Sequence, residues 1–178
     1  MNKVFGKKGD FTPVREDASR VVISYGFEEA DSKNATWYEI YIYKKQVPGV
    51  SYADVKAAII ADINERTREK IIGGFTWDDK PVWLSEENQL NFSTAIAPVN
   101  LKIGEQADGT PVYHDFETAK QLANFWKDCQ AWKQQCLTDG WAEKDSIDWS
   151  QYQVLFPGST ESTTTEATGT EATGTSAE

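Results

Sequence analysis

Histidine, methionine and cysteine are scarce in this sequence: one His, one Met and two Cys stand among 178 residues. Nucleophilic catalysis needs a base beside a Ser or Cys, and His114 is the sole imidazole, placed at a strand-to-helix junction where a surface role is the ordinary one. No CxxC accompanies it, so a zinc site lacks ligands and no metal is expected. Cys129 and Cys136 fall seven residues apart in one expected helix. That spacing separates them by about 10 Å along the axis, beyond the roughly 7 Å over which a disulfide closes. Both read as buried, reduced thiols. Runs of 18 apolar residues are absent, so no membrane-crossing helix is expected. The first 25 residues show no apolar core or cleavage site of a signal peptide, which points to synthesis and initial residence in the cytoplasm.

Phosphate and nucleophile motifs are missing as well. There is no GxSxG, GxGxxG or GxxxxGK[ST], and Gly73-Gly74 follows a helix whereas a phosphate loop precedes one. The Asp-rich stretches do not fit a calcium loop. Asp78-Asp79 and Glu86-Glu87 are the adjacent carboxylates, and neighbours on a strand or helix point to different faces. A turn and the first turn of a helix account for them, which leaves a carboxylate hydrolase a remote reading. No catalytic residue and no cofactor are expected, and the chain reads as a binding protein.

Positive charge is also in short supply. Eighteen Lys and Arg face 28 Asp and Glu, for a net charge of −10. Such a chain repels phosphate backbones and anionic headgroups, so neither nucleic acid nor membrane is an expected partner. The one basic cluster, Lys3, Lys7 and Lys8, reads as solvated lysines of a terminal arm.

Aromatics, by contrast, are plentiful at 12%, including seven Trp. The pattern predicts an α+β fold. Gly6, Gly9 and Pro13 mark the first 15 residues as an irregular arm. Residues 20–27 and 36–43 then form an antiparallel hairpin, β-branched and aromatic. Alternation sets Tyr38, Ile40 and Ile42 on a core-seeking face and Trp37, Glu39, Tyr41 and Tyr43 on the other. Ser51 caps a helix in which Val55, Ile59 and Ile63 recur every four residues, with Lys56, Asp62, Arg66 and Glu69 on the solvated side and Gly73-Gly74 as its stop. Short strands around Asp78-Asp79 lead to a second helix, Ser85-capped, from Glu86 to Ala97 before Pro98. A strand pair (99–103 and 111–113) turns at Asp108-Gly109. Asp115 is the expected cap of a third helix, closed at Gly140, with Leu122, Trp126, Cys129 and Cys136 on its apolar stripe. Trp141, Ile147, Trp149 and Tyr152 are expected to pack back as an irregular segment. From Pro157 the chain carries four Glu, no Lys or Arg and no large apolar residue, the composition of a disordered tail. The expected organisation is a β-rich interaction region (1–50), a helix and hairpin domain (51–156) and a disordered tail (157–178).

The stretch from Ile63 to Phe75 (INERTREKIIGGF), the hairpin with Lys80-Pro81-Val82-Trp83-Leu84 and the helix start Ser85-Glu86-Glu87-Asn88-Gln89-Leu90-Asn91-Phe92 carry a likeness. With Tyr113-His114-Asp115-Phe116-Glu117-Thr118 and the helix after it, residues 51 to 145 resemble a domain-of-unknown-function family of bacteriophage and prophage proteins associated with tail fibres and their assembly. The resemblance implies a virion or virion-assembly protein whose partners are other phage structural proteins or a second copy of itself. It carries no catalytic residues. The interface expected from the residues themselves is Trp37, Tyr41 and Tyr43, because only one face of a small sheet packs on its own helices. The alternative is a carbohydrate-binding module that stacks Trp and Tyr on a host-surface glycan.

Overall fold

A computed structural model describes residues 2–47 and 49–157. The hairpin expected at residues 20–43 is there as β3 (Arg20–Glu29) and β4 (Asn34–Tyr43). The arm before it is not irregular. Its residues supply β1 (Asn2–Lys7), a 3-10 turn (Lys8–Asp10) and β2 (Val14–Glu16), which become the two edges of an antiparallel sheet ordered β1-β4-β3-β2. Residues 2–7 pair antiparallel with the edge of β4, and a paired backbone outweighs the loop tendency of Gly6.

One face of this sheet receives α1 (Tyr52–Gly73), whose Ser51–Asp54 capping box forms as expected. Val55, Ile59 and Ile63 meet Val21, Ile23 and Tyr25 in a first core. Tyr38, Ile40 and Ile42 pack against it from β4, the face that alternation assigned to them. Short α4 (Ser150–Gln153) closes this core: Tyr152 is buried and its hydroxyl donates to the Ser24 carbonyl at 2.7 Å.

After α1, the β5–β6 hairpin (Phe75–Trp77, Lys80–Val82) turns at Asp78 and Asp79, both left-handed with φ of 49° and 56°. Helix α2 runs from Glu86 to Thr94 and stops short of Ala97. The β7–β8 ribbon (Val99–Glu105, Pro111–Phe116) continues through Asp115, so Thr118 and not Asp115 caps α3 (Ala119–Asp145). Helix α3 also runs past Gly140. A Cβ there would lie 2.4 Å from Thr67 Oγ1, so this glycine lets α3 and α1 touch and does not end a helix. The second core holds Val82, Leu84, Phe92, Ile103, Phe116 and Phe125, with Cys129 and Cys136 buried beside them. Ile71, near the end of α1, belongs to this core, so one helix serves both. The fold is α+β, an N-terminal antiparallel sheet followed by four helices interspersed with short hairpins. Of the expected C-terminal tail, everything after Pro157 lies outside the described residues.

Candidate functional site

The sheet face turned away from α1 is the one that the sequence nominates for contacts, and the register builds it residue by residue. Glu39 stands opposite Ser24, Tyr41 opposite Val22 and Tyr43 opposite Arg20 across β3–β4. Val4 pairs with Trp37, and Arg15 with Val22. The chain between β1 and β2 must travel from one edge of the sheet to the other, and it brings Phe11 onto this face. The Phe11 ring meets Trp37 edge-on at 5.9 Å and Phe27 at 5.1 Å. Gly6 lies directly against the indole, where a Cβ would come 2.7 Å from Trp37 Cη2. Trp37 is consequently only 3% exposed.

The face also buries a charge. Glu39, 7% exposed, accepts two hydrogen bonds from Arg15 at 2.9 and 3.1 Å and one from Trp37 Nε1 at 3.2 Å. Burial alone would raise its pKa, but the Arg15 fork and the Trp37 bond outweigh it and hold the carboxyl below its ordinary range. Tyr41 is half-buried, with the Arg20 guanidinium 4.3 Å from its ring centre. Only Tyr43 stands out into solvent, at 49%. The expected row of three exposed rings is therefore corrected: the N-terminal segment covers Trp37, Arg20 lies on Tyr41, and Tyr43 alone is free.

What this face loses, the edge gains. Among the described residues β1 pairs with β4 on one side only, so its other side presents a row of backbone groups that no described strand pairs with. Phe5 projects from it on the α1 side of the sheet and is 65% exposed. Lys3 and Lys8 reach back to Glu28 and Glu29 at 3.5 and 2.7 Å, while Lys7 stays exposed. Lysines along an edge strand generally discourage indiscriminate strand addition.

The candidate chemical groups occupy structural positions. Lys80 Nζ is 3.0 Å from His114 Nδ1, and the imidazole packs edge-on to Trp77 and Phe116. Asp78-Asp79 form the β5–β6 turn, and Glu86-Glu87 occupy the first turn of α2. Burial pushes the Cys129 thiol up to about 12 and raises Cys136 as well, which keeps both in the unreactive thiol form.

Sequence reasoning missed one cluster. Arg66, assigned to the solvated side of α1, is drawn into the seam between sheet, α1 and α3. It bonds Asp62 at 3.2 Å and the Tyr25 hydroxyl at 3.1 Å, and pairs with Glu143. Its guanidinium lies 4.0 Å from the Tyr38 ring centre. Desolvation opposes its charge, but the bonds to Glu143 and Tyr25 more than compensate and raise its pKa. Burial and the bond to Asp62 raise that of Tyr25. The i, i+4 spacing of Asp62 and Arg66 was the available signal. The arrangement fixes the sheet, α1 and α3 together.

Neither the curated proteins nor the solved structures contain a match to this chain. Residues 54–168, from the first turn of α1 onward, match a family described as a domain of unknown function (DUF4376), and the chain belongs to that family.

Proposed function

We propose that this chain is a structural or assembly component of a bacteriophage virion, tail or fibre associated, that works by protein–protein contact through its N-terminal sheet. The free β1 edge, with Phe5 projecting from it, carries the reading. An open strand supplies directional hydrogen bonds to an added strand, and an exposed ring beside it supplies apolar area. The biological setting of this reading rests on the resemblance of residues 51–145 to a domain-of-unknown-function family of phage and prophage proteins associated with tail fibres and their assembly. Synthesis in the host cytoplasm and incorporation into the particle are its consequence. The partner is a second copy or another virion protein. Light scattering during size exclusion tests it. The chain should run above monomer mass, and Phe5→Glu should return it to monomer with unchanged circular dichroism. A wild-type monomer at every concentration, alone and with the neighbouring virion proteins, would refute the proposal.

A second reading rests on a different place. Trp83, 40% exposed, flanks a groove of about 490 Å³ that is also lined by Glu87, Asn88, Asn91 and Thr94. An indole beside amides and a carboxylate is the chemistry that holds a sugar ring. Binding on a glycan array that Trp83→Ala removes would favour this alternative.

A further inference from the structure

The outer side of β1 is not uniform along its length. The Lys8 N–H donates to the Lys33 carbonyl at 3.0 Å, in the register that pairs Lys7 with Asn34 and Gly6 with Ala35. Hydrogen-bonded pairs alternate along an antiparallel ladder. Gly6 and Val4 therefore turn their backbone groups to β4, and Lys3, Phe5 and Lys7 turn theirs outward. The Lys7 N–H is already taken, because it donates to Asp10 Oδ2 at 3.3 Å. Among the described residues, no strand pairs with the outward N–H and C=O of Lys3 and Phe5.

The same residues carry their side chains on the α1 side, with exposed Lys3 and Lys7 flanking Phe5 at the two-residue period of the strand. This pattern discriminates between the ways in which a second copy of β1 can be added antiparallel about a two-fold axis. If Phe5 faces Phe5 of the second copy, Lys3 faces Lys7 on both sides of the axis, and like charges directly opposite destabilise. That register also needs the Lys7 N–H, which Asp10 holds. Sliding one way, to set Gly6 opposite Gly6, needs it as well. Sliding the other way sets Val4 opposite Val4 and uses only what is open. Lys3 of each copy then faces Phe5 of the other and exchanges both backbone hydrogen bonds with it. The side chains agree with the backbone. The Lys3 ammonium is matched within its own chain by Glu28 at 3.5 Å and lies 5.5 Å from the Tyr38 ring centre. An incoming Phe5 ring gives it a second aromatic neighbour and strands no charge. Phe5→Glu would instead bring a second carboxylate to Lys3 beside Glu28.

We propose that β1 pairs with β1 of a second copy of this chain, Val4 opposite Val4, joining two four-stranded sheets into one across a two-fold axis. The proposal rests on the reading of the β1 edge as a protein–protein contact, and it names the partner and the register. Each β1 edge is used once, so association closes at the dimer.

Cysteine trapping tests the register. The two Val4 residues form a non-hydrogen-bonded pair with Cα atoms about 4.5 Å apart, within the span of a disulfide. The two Phe5 residues sit diagonally, roughly 7–8 Å apart, outside it. Under mild oxidation Val4→Cys should run as a dimer on a non-reducing gel and Phe5→Cys as a monomer, with the native Cys129 and Cys136 buried in both. Phe5→Pro removes an outward N–H and none that serves β4, so adding it to Val4→Cys should abolish trapping with circular dichroism unchanged. Trapping of Phe5→Cys as fast as Val4→Cys would overturn the register. No trapping of either, or trapping that survives Phe5→Pro, would overturn the second copy as the partner. In that event a complex with another virion protein that Phe5→Glu disrupts would keep the edge as the contact, and its absence would overturn both readings.

Discussion

The two halves of the molecule bury their rings by different means. The N-terminal sheet is four strands wide and covered on both faces, by α1 on one and by its own first residues on the other. Among the described residues the charged side chain buried there is Glu39, and it is matched by Arg15. The second half has only two-stranded ribbons, which are too narrow to hold a core by themselves. It depends on α1, α2 and α3, and on an aromatic cluster in which Phe125 meets Trp77, Phe92 and Phe116 at 4.9 to 5.0 Å. Helix α1 belongs to both cores. The family match begins at residue 54, inside that helix, and leaves the sheet outside. A limit of sequence similarity is therefore no limit of packing: without the sheet, Val55, Ile59 and Ile63 would face water.

The comparison breaks if the halves unfold separately. Phe125→Ala in the second core should cost about 3–5 kcal/mol and Ile59→Ala in the first about 2–5 kcal/mol. Because α1 is shared, each variant should still unfold in one urea transition, with Trp fluorescence and far-ultraviolet circular dichroism coincident. Two separated transitions would show that α1 does not couple the cores.

Next in size are changes on the outer face of the sheet. Trp37→Ala should destabilise by about 3–5 kcal/mol, as for any enclosed large ring. Tyr43→Ala, three repeats of the pleat further along the same strand face, should stay within about 0.5 kcal/mol. Equal effects would mean that the N-terminal segment does not cover Trp37 in solution. Arg66→Met comes below Trp37→Ala. Losing one member of a buried ionic group costs about 3–5 kcal/mol, but Asp62 and Glu143 keep partial access to water, which lowers the expected loss to about 1–3 kcal/mol.

The sequence disclosed what depends on local period and punctuation. The β3–β4 alternation, the four-residue stripe of α1 and the Ser51 and Ser85 caps all read directly, as did the burial of Cys129 and Cys136. It concealed what depends on distant partners. Gly6 reads as a loop former until a strand exists for it to pair with, and Gly140 reads as a helix stop until Thr67 is known to touch it. Arg66 reads as solvated because its acids lie on α3 as well as on α1. The expected exposure of Trp37 is not found for the same reason: alternation gives the face of Trp37 correctly, but no local pattern tells what lies on that face. Tyr43, at the strand end beyond the covering segment, is the one ring of the three still open to a partner.

The smallest expected effect sharpens the contrast between a matched charge and an apolar interior. Folding lowers the pKa of Glu39, since Arg15 and Trp37 favour its ionised form more than burial disfavours it. In the unfolded chain the group titrates near an ordinary glutamate value of about 4.3. The ionised form is therefore worth more to the folded state, and this contribution is complete above the unfolded value. It fades as pH falls through the lower folded value, where the folded protein must also take up the proton. Glu39→Gln keeps the shape and can still accept from Arg15 and Trp37, but cannot ionise. Measured by urea unfolding, the wild type should exceed Glu39→Gln modestly at pH 7, because Arg15 is itself half open to water. The gap should close as the pH is taken below about 4. A gap constant from pH 7 to pH 3 would mean that Glu39 contributes through shape and hydrogen bonding alone. The Arg15 fork would then be a surface pair of no thermodynamic consequence, and the outer face of the sheet would be held by Trp37, Phe11 and Gly6.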